Sequence, residues 1–139
     1  MYLLDSDIFV RILRNRPREL NVRLNEQAAD IFTSVVVRHE LMHGALRSSR
    51  PLEQRALVES LLARVTVLEF NSDDADHAAD IKADLQRRGQ MIGANDLLIA
   101  GHARSRSLIA VTGNLREFGR VDGLRCEDWP AGPPGPYLI

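Results

Sequence analysis

Short apolar runs alternate with longer amphipathic stretches along the chain. The short runs predict β-strands, because they are brief and rich in Val, Ile and Leu; they span residues 1–4, 31–36, 65–70, 108–112 and 124–127. The longer stretches carry apolar residues at helical spacing and predict helices over residues 8–16, 20–29, 37–45, 51–62, 72–89 and 94–106, with a short segment at 115–118.

Local signals place the ends of these elements. Pro17 stops the first helix, Pro51 opens another, and Gly89 ends a long one. Ser34 and Ser72 are expected helix caps. The apolar face of the 51–62 helix is expected to carry Leu52, Ala56, Leu57, Leu61 and Leu62.

Strands separated by helices predict an α/β fold with a central, mostly parallel sheet of about four or five strands, flanked by helices. We expect one domain over residues 1–129, followed by a loose Pro/Gly-rich tail at 130–139 that can form neither helix nor sheet ladder. In such folds the functional crevice lies beyond the carboxyl ends of the strands. Asp5 and Thr112 both follow predicted strands at that edge.

Composition changes this picture little. The chain has 139 residues, 45% of them hydrophobic and 27% charged, which suits a single globular domain. There is no long uncharged apolar run and no signal peptide pattern, and the only cysteine is Cys126, so we expect a cytoplasmic protein without a membrane anchor. Lys82 is the only lysine among 18 basic residues. An arginine-rich surface suits RNA or an acidic partner, although a GC-rich genome would produce the same bias.

Asp5, Glu40 and Asp96 are the acidic residues whose setting suggests chemistry. Asp5 ends a strand, Glu40 lies in a helix and Asp96 begins one. If the fold brings them together, their like charges raise their pKa values unless a cation neutralises them, and Mg2+ or Mn2+ is the natural ion for oxygen ligands. Taken singly, each has a simpler explanation: Asp5, Ser6 or Asp7 as a helix cap, Asp96 as a first-turn acid, and Glu40 as an exposed side chain.

Four segments carry a resemblance to a known family. They are Leu4-Asp-Ser-Asp7, Ser34-Val-Val-Val-Arg-His-Glu-Leu-Met-His-Gly44, Ile92-Gly-Ala-Asn-Asp-Leu-Leu-Ile-Ala-Gly-His-Ala103 and Val111-Thr-Gly-Asn-Leu-Arg-Glu-Phe118. In content and spacing they resemble the motifs of PIN-domain VapC toxins, and the ending at 120–129 resembles that family's closing strand. The resemblance covers residues 1–129.

The resemblance implies a PIN-like domain with a four-acid Mg2+ (or Mn2+) site and endoribonuclease activity on tRNA or other structured RNA. It also implies homodimers and a VapB-type antitoxin whose tail can block the active site. Asp5, Glu40 and Asp96 match the first three acidic positions. We expect Asp5 and Asp96 to bind the ion directly, and Glu40 to bind through water or to position the attacking water.

The fourth acidic position is altered in this chain. Asn114 matches it in position but adds no charge, so Glu117 and Asp7 are the candidates to supply the missing carboxylate; we rank Asn114 first for position and Glu117 second for charge. Thr112 matches a hydroxyl residue expected near the ion or its waters.

Three further features of the motifs bear on the site. Ser6 replaces the usual threonine and keeps its hydroxyl. Asp7 replaces the usual asparagine, and Gly113 also departs from the common form. Arg14, Arg104 and Arg116 are expected to line a path for the RNA backbone, although solvated helix faces would explain them equally well.

Three rival functions remain open at this stage. His39-Glu-Leu-Met-His43 is a literal HExxH, which on a helix can hold zinc in a metallopeptidase, with Glu59 as a possible third ligand. Asp5-Ser-Asp7 with Thr112 resembles the opening motifs of haloacid-dehalogenase-type phosphatases, but the lysine that chemistry expects after Thr112 is missing. A non-catalytic PIN-like binding module is the third.

Overall fold

A five-stranded, entirely parallel sheet forms the centre of the molecule, in the order β3-β2-β1-β4-β5. The computed structural model describes residues 1–15 and 18–129. The α/β class with helices around a parallel sheet is therefore confirmed. The expected helix stop at Pro17 and the expected tail at 130–139 lie outside the described residues.

The strands are short, and each lies within a predicted apolar run. They are β1 (Tyr2–Leu4), β2 (Ile31–Ser34), β3 (Thr66–Leu68), β4 (Ile109–Val111) and β5 (Cys126–Glu127). The central strands are covered on both faces, so that Leu3, Leu4 and Val111 have no exposed surface. Such burial explains why these runs are continuously apolar and do not alternate.

Seven α-helices connect the strands in the described part of the chain. They are α1 (Ser6–Leu13), α2 (Arg18–Glu26), α3 (Val35–Leu46), α4 (Pro51–Leu62), α5 (Ser72–Arg87), α6 (Ala94–Ser105) and α7 (Leu115–Phe118), with a short 3-10 helix at Ala28–Asp30. The helices α5 and α6 pack closely because Gly101 has no side chain: a Cβ at Gly101 would lie 2.7 Å from Ala78. None of the described helices has the length and apolar character needed to cross a bilayer.

Several predicted boundaries were wrong by a few residues. The 31–36 strand ends at Ser34, because the Ser34 hydroxyl accepts a hydrogen bond from the Val36 amide and starts α3. The helix predicted to reach residue 29 ends at Glu26 and is followed by the 3-10 turn. Asn71, and not Ser72, caps α5, because its side chain and that of Asp74 each bond the other's backbone amide.

The apolar face predicted for α4 was also partly wrong. Leu61 and Leu62 are buried as expected, together with Val58. Leu52 is 82% exposed and Leu57 is 50% exposed, because they project from the side of α4 that faces away from the core. Leucine spacing alone could not tell which side of this helix packs inward.

The sheet order creates one switch point. From β1 the chain proceeds outward to β2 and β3 on one side, whereas β4 and β5 lie on the other. Loops leaving β1 and β4 therefore diverge at their carboxyl ends and open a crevice there, which is where ligands bind in open α/β sheets. Asp5 and Thr112 follow these two strands directly.

Candidate metal centre

Asp5 is fixed in the crevice by hydrogen bonds from both sides. The Asp5 carboxylate accepts from the Ser6 amide at 2.7 Å, so it caps α1, and from the Thr112 hydroxyl at 2.8 Å. The Asp5 amide donates to the Val111 carbonyl at 2.9 Å, which continues the β1–β4 ladder. The helix-cap explanation and the site explanation of Asp5 are thus both compatible with its position.

The surroundings of Asp5 disfavour its charged form. Asp5 is only 5% exposed. Burial, followed by the nearby negative charge of Asp7, raises the pKa of Asp5 to about 6, and Glu40 adds to the rise. A cation placed beside this carboxylate would reverse that effect.

Asp96 meets two side chains of the loop and helix that follow β4. The Asn114 amide donates to the Asp96 carboxylate at 3.2 Å and to the Glu117 carboxylate at 2.9 Å. Burial raises the pKa of Asp96, and a hydrogen bond shared with Glu117 raises it further. The same contact with Asp96 lowers the pKa of Glu117.

Glu40 approaches the crevice from α3. Its negative charge contributes to the raised pKa values of both Asp5 and Asp96, so the carboxylates of Asp5, Asp96 and Glu40 are close enough to interact electrostatically. The Glu40 Oε1 atom is buried and has no hydrogen-bond partner among the described residues. A buried carboxylate oxygen without a donor is costly unless a cation or water meets it.

Asp7 holds the loop after β4 in place. Its Oδ2 accepts from the Gly113 amide at 2.8 Å. A Cβ at Gly113 would lie 2.6 Å from that same oxygen and would collide with the Arg11 guanidinium. The glycine at this position is therefore required by the close approach of two α1 side chains, and the residues at 7 and 113 depart from the family pattern together.

The oxygen donors at the crevice fit a hard divalent cation. Asp5, Glu40, Asp96 and Glu117 offer carboxylates, which Mg2+ and Mn2+ prefer, and their burial and mutual repulsion give such an ion a strong attraction. No three His, Cys, Asp or Glu side chains in residues 1–15 and 18–129 already stand in coordinating positions around one point. The shared Asp96–Glu117 hydrogen bond would have to open for both groups to face an ion.

A buried network that sequence reasoning missed joins the helices that carry Glu40 and Asp96. His102 of α6 is fully buried, and its Nδ1 lies 2.8 Å from the hydroxyl of Ser34, the cap of α3. Its Nε2 lies 3.5 Å from Asp74, which Arg106 binds from outside at 3.1 Å. Burial lowers the pKa of His102, and its Nε2 atom has no hydrogen-bond partner among the described residues. A lone histidine in a helix gives no sequence signal for this role.

The HExxH residues do not assemble a zinc site. His39 and His43 are exposed on α3, with parallel rings whose centroids are 6.4 Å apart. Glu59, the possible third ligand, instead pairs with Arg38 at 3.8 Å and Arg55 at 3.4 Å.

The three arginines expected along an RNA path lie in different settings. Arg14 lines a groove that also contains Glu40, and Arg116 is exposed on α7 beside Glu117. Arg104 lies in the last turn of α6, at the opposite end from Asp96, where it binds Asp80 at 2.7 Å and His77 at 2.9 Å. The structure does not bring Arg104 to the crevice, so the expectation that Arg104 lines an RNA path there is wrong.

Sequence comparison finds related proteins over nearly the full length. The PIN domain family model matches residues 2–124. A ribonuclease VapC2 of Haemophilus influenzae is 42% identical over 92% of this chain and 97% of its own length. A tRNA(fMet)-specific endonuclease VapC of Shigella flexneri is 41% identical with the same coverage.

Solved structures of VapBC complexes are also similar to this chain. A DNA-bound VapBC from Salmonella typhimurium superposes with a TM-score of 0.88 at 38% identity, covering 92% of this chain and 97% of the other. VapBC2 from Rickettsia felis, bound to a DNA fragment from its promoter, gives a TM-score of 0.86 at 29% identity, covering 92% and 98%.

Proposed function

Because the chain belongs to the PIN-domain family, within its group of VapC ribonucleases, we propose that it is a Mg2+-dependent endoribonuclease toxin that cuts tRNA or another structured RNA. The observation that carries the proposal is the crevice at the β1–β4 switch point, where the charge of Glu40 helps to raise the pKa values of both Asp5 and Asp96 and the charge of Asp5 adds to the rise at Asp96.

The carboxylates have distinct roles in the proposed reaction. Asp5 and Asp96 would hold Mg2+ (or Mn2+) directly, and the bound ion would stabilise the charge that develops on the phosphate oxygens. Glu40, with its unpartnered Oε1, is the group best placed to accept a hydrogen bond from the attacking water and orient it. Thr112 keeps Asp5 in one rotamer by donating to it.

Glu117 is the proposed source of the fourth carboxylate. It lies beside Asp96 and carries the charge that Asn114 lacks. Asn114 would act through its amide, which bridges the two carboxylates and fixes their separation. Asp7 is the second candidate for the fourth acid: its Oδ2 accepts from the Gly113 amide, and its Oδ1 is buried without a hydrogen-bond partner among the described residues.

The substrate and partners are proposed from the relatives. The Shigella relative is named for tRNA(fMet), so tRNA is the substrate we would test first. Because tRNA is found in the cytoplasm, we expect the protein to act there. The similar solved structures are VapBC complexes, some of them DNA-bound. We therefore expect a VapB-type antitoxin and, within that complex, a homodimer of this chain. Arg14, which lines a groove with Glu40, and Arg116, which is exposed on α7, would contact the RNA backbone.

The rival enzyme classes are overturned. Membership of the PIN family, the exposure of His39 and His43, and the arginine pairing of Glu59 leave no basis for a zinc peptidase. Family membership likewise replaces the haloacid-dehalogenase-type phosphatase. A non-catalytic PIN-like module would bind RNA or antitoxin without cleaving, and the experiment below separates it.

Cleavage of purified tRNA and total RNA tests the proposal. The parent protein should cut RNA with Mg2+ and should stop with EDTA, and Zn2+ should give no peptidase activity. Asp96→Asn should abolish cleavage while keeping the fold. His43→Ala is the matched control, because it changes an exposed residue of the HExxH pattern and should cleave like the parent. RNA left intact by a folded, Mg2+-supplied parent would reject the proposed function.

A further inference from the structure

A groove runs from the crevice between α1, α3 and α4. It is about 580 Å3 in volume, which lies in the range of small-ligand sites. Its lining includes Ser6 and Glu40, which also belong to the crevice, and Arg14. The groove is therefore continuous with the proposed catalytic centre, and a ligand in it would lie next to the reacting phosphate.

The walls of the groove suit a flat, partly apolar ligand. Val10, Leu41, Leu57 and Val58 give it an aliphatic surface. The Gln54 side chain adds an amide, which offers both donor and acceptor, and it is only partly exposed. Leu57, which does not pack into the core, is 50% exposed at this wall.

Gly44 shows that the space is kept open. It lies within α3, where glycine costs about 1 kcal/mol relative to alanine. Its φ is not positive, and a Cβ built on it would meet no atom within 4 Å. Neither backbone conformation nor packing in this structure requires glycine here. Gly44 lines the groove and has open space beside it, so a large side chain at this position has room to occupy part of the groove.

We propose that this groove is a nucleobase subsite: it receives one base of single-stranded RNA next to the scissile phosphate, Gly44 leaves room for the base, and Gln54 contacts its hydrogen-bonding edge. The proposal rests on the proposed ribonuclease function and adds a determinant of its sequence preference. A base fits because its faces are apolar and its edge is polar. Arg14, which also lines the groove, supplies a positive charge for the phosphate that adjoins this base.

The proposal is tested by filling the groove. Gly44→Phe replaces the open space with a ring, and it does not oppose folding, because phenylalanine has the higher helix propensity. Leu46→Phe is the matched control: it adds a similar ring to the same helix at a position that is already 57% exposed and does not line the groove. Both are placed in the Asp96→Asn background, so that RNA stays intact while binding is measured by fluorescence anisotropy.

Gly44→Phe should weaken binding of a short, labelled single-stranded RNA by about tenfold or more, the usual worth of one accommodated base. Leu46→Phe should leave the affinity unchanged. Urea unfolding should show both variants folded; if Gly44→Phe fails to fold, Gly44→Leu takes its place. Equal affinities for the Gly44→Phe and Leu46→Phe proteins would overturn the subsite.

Two further measurements identify the occupant. In NMR titrations, nucleoside monophosphates should shift the amide signals of Gly44 and Ala45, whereas ribose 5-phosphate should not; equal shifts from both would mean that no base is bound. When the affinities for the four homopolymer RNAs are compared, Gln54→Glu should change the order in which the protein prefers them. A groove variant that loses affinity for the purified antitoxin but keeps RNA affinity would show a protein-binding groove and overturn the proposal. Because binding is measured without cleavage, these failures are distinct from a parent that cuts no RNA.

Discussion

Replacing Asp5 by asparagine is expected to stabilise the metal-free protein while it abolishes RNA cleavage. Asparagine is nearly isosteric: its oxygen can accept from the Ser6 amide as Oδ1 of Asp5 does, and its NH2 group, in the place of Oδ2, can donate to the Thr112 hydroxyl oxygen. The substitution therefore removes the charge of Asp5 and leaves its packing and cap in place. An active-site change that raises stability is the expected result of relieving buried repulsion.

The magnitude follows from the pKa of Asp5. Burial and the neighbouring acids raise that pKa from 3.8 to about 6, a difference of about two units, and each unit corresponds to about 1.4 kcal/mol. The charged form in the fold thus costs about 3 kcal/mol at neutral pH. Because the folded pKa is raised, the cost is absent below about pH 4, grows as the pH rises towards 6 and is constant above it.

Urea unfolding in EDTA measures this cost. The free energy of unfolding of Asp5→Asn should exceed that of the parent by about 3 kcal/mol near pH 7.5 and by about half as much near pH 5. Asp76→Asn is the control, because Asp76 is an exposed acid on α5, away from the crevice. Mg2+ should stabilise the parent and have little effect on Asp5→Asn.

Two outcomes would refute this reasoning. One is an Asp5→Asn protein no more stable than the parent in EDTA near neutral pH. The other is a stability difference that does not change between acidic and neutral pH, since a gain unrelated to ionisation would not depend on pH.

The remaining predictions concern the fourth carboxylate and the residues that support the centre. Glu117→Gln should lower kcat by about 100-fold or more in a tRNA cleavage assay; activity unchanged in Glu117→Gln would exclude Glu117 as the fourth carboxylate. Gly113→Ala should lower the free energy of unfolding by about 1–3 kcal/mol in urea, because its Cβ meets two α1 side chains; an unchanged value would contradict the close approach. Asp74→Asn should lower the free energy of unfolding at pH 7, because it removes the partner of Arg106. The pKa of Asp74 is lowered to about 2, so this loss of stability should vanish as the pH falls from about 4 towards 2. A loss of stability that is unchanged at acidic pH would contradict the ion pair.

The sequence was sufficient for the fold class because periodicity reports burial directly. The runs at 1–4 and 108–112 became β1 and β4, which are buried on both faces. Periodicity failed where two local preferences compete. Val35 and Val36 favour a strand by type, but the Ser34 cap places both in a helix.

The candidate centre was only partly accessible from the sequence. A resemblance could nominate Asp5, Glu40 and Asp96, but only the sheet order shows that β1 and β4 are neighbours. Long-range relations stayed hidden: the contact of Gly113 with α1, and the buried His102 that links α3 to α6. These contacts depend on packing between segments far apart in the chain, and such packing does not show in the periodicity of apolar residues along the sequence.

If Asp5, Glu40 and Asp96 form one divalent-ion centre at the β1–β4 edge, crystals of the RNA-cleaving protein soaked in Mn2+ should show it by anomalous diffraction. An anomalous peak is expected within coordination distance of the Asp5 and Asp96 carboxylates, and it should be lost in Asp96→Asn crystals. Mn2+ bound only elsewhere, for instance at His39 and His43, or a crevice without a peak in an active protein, would contradict it.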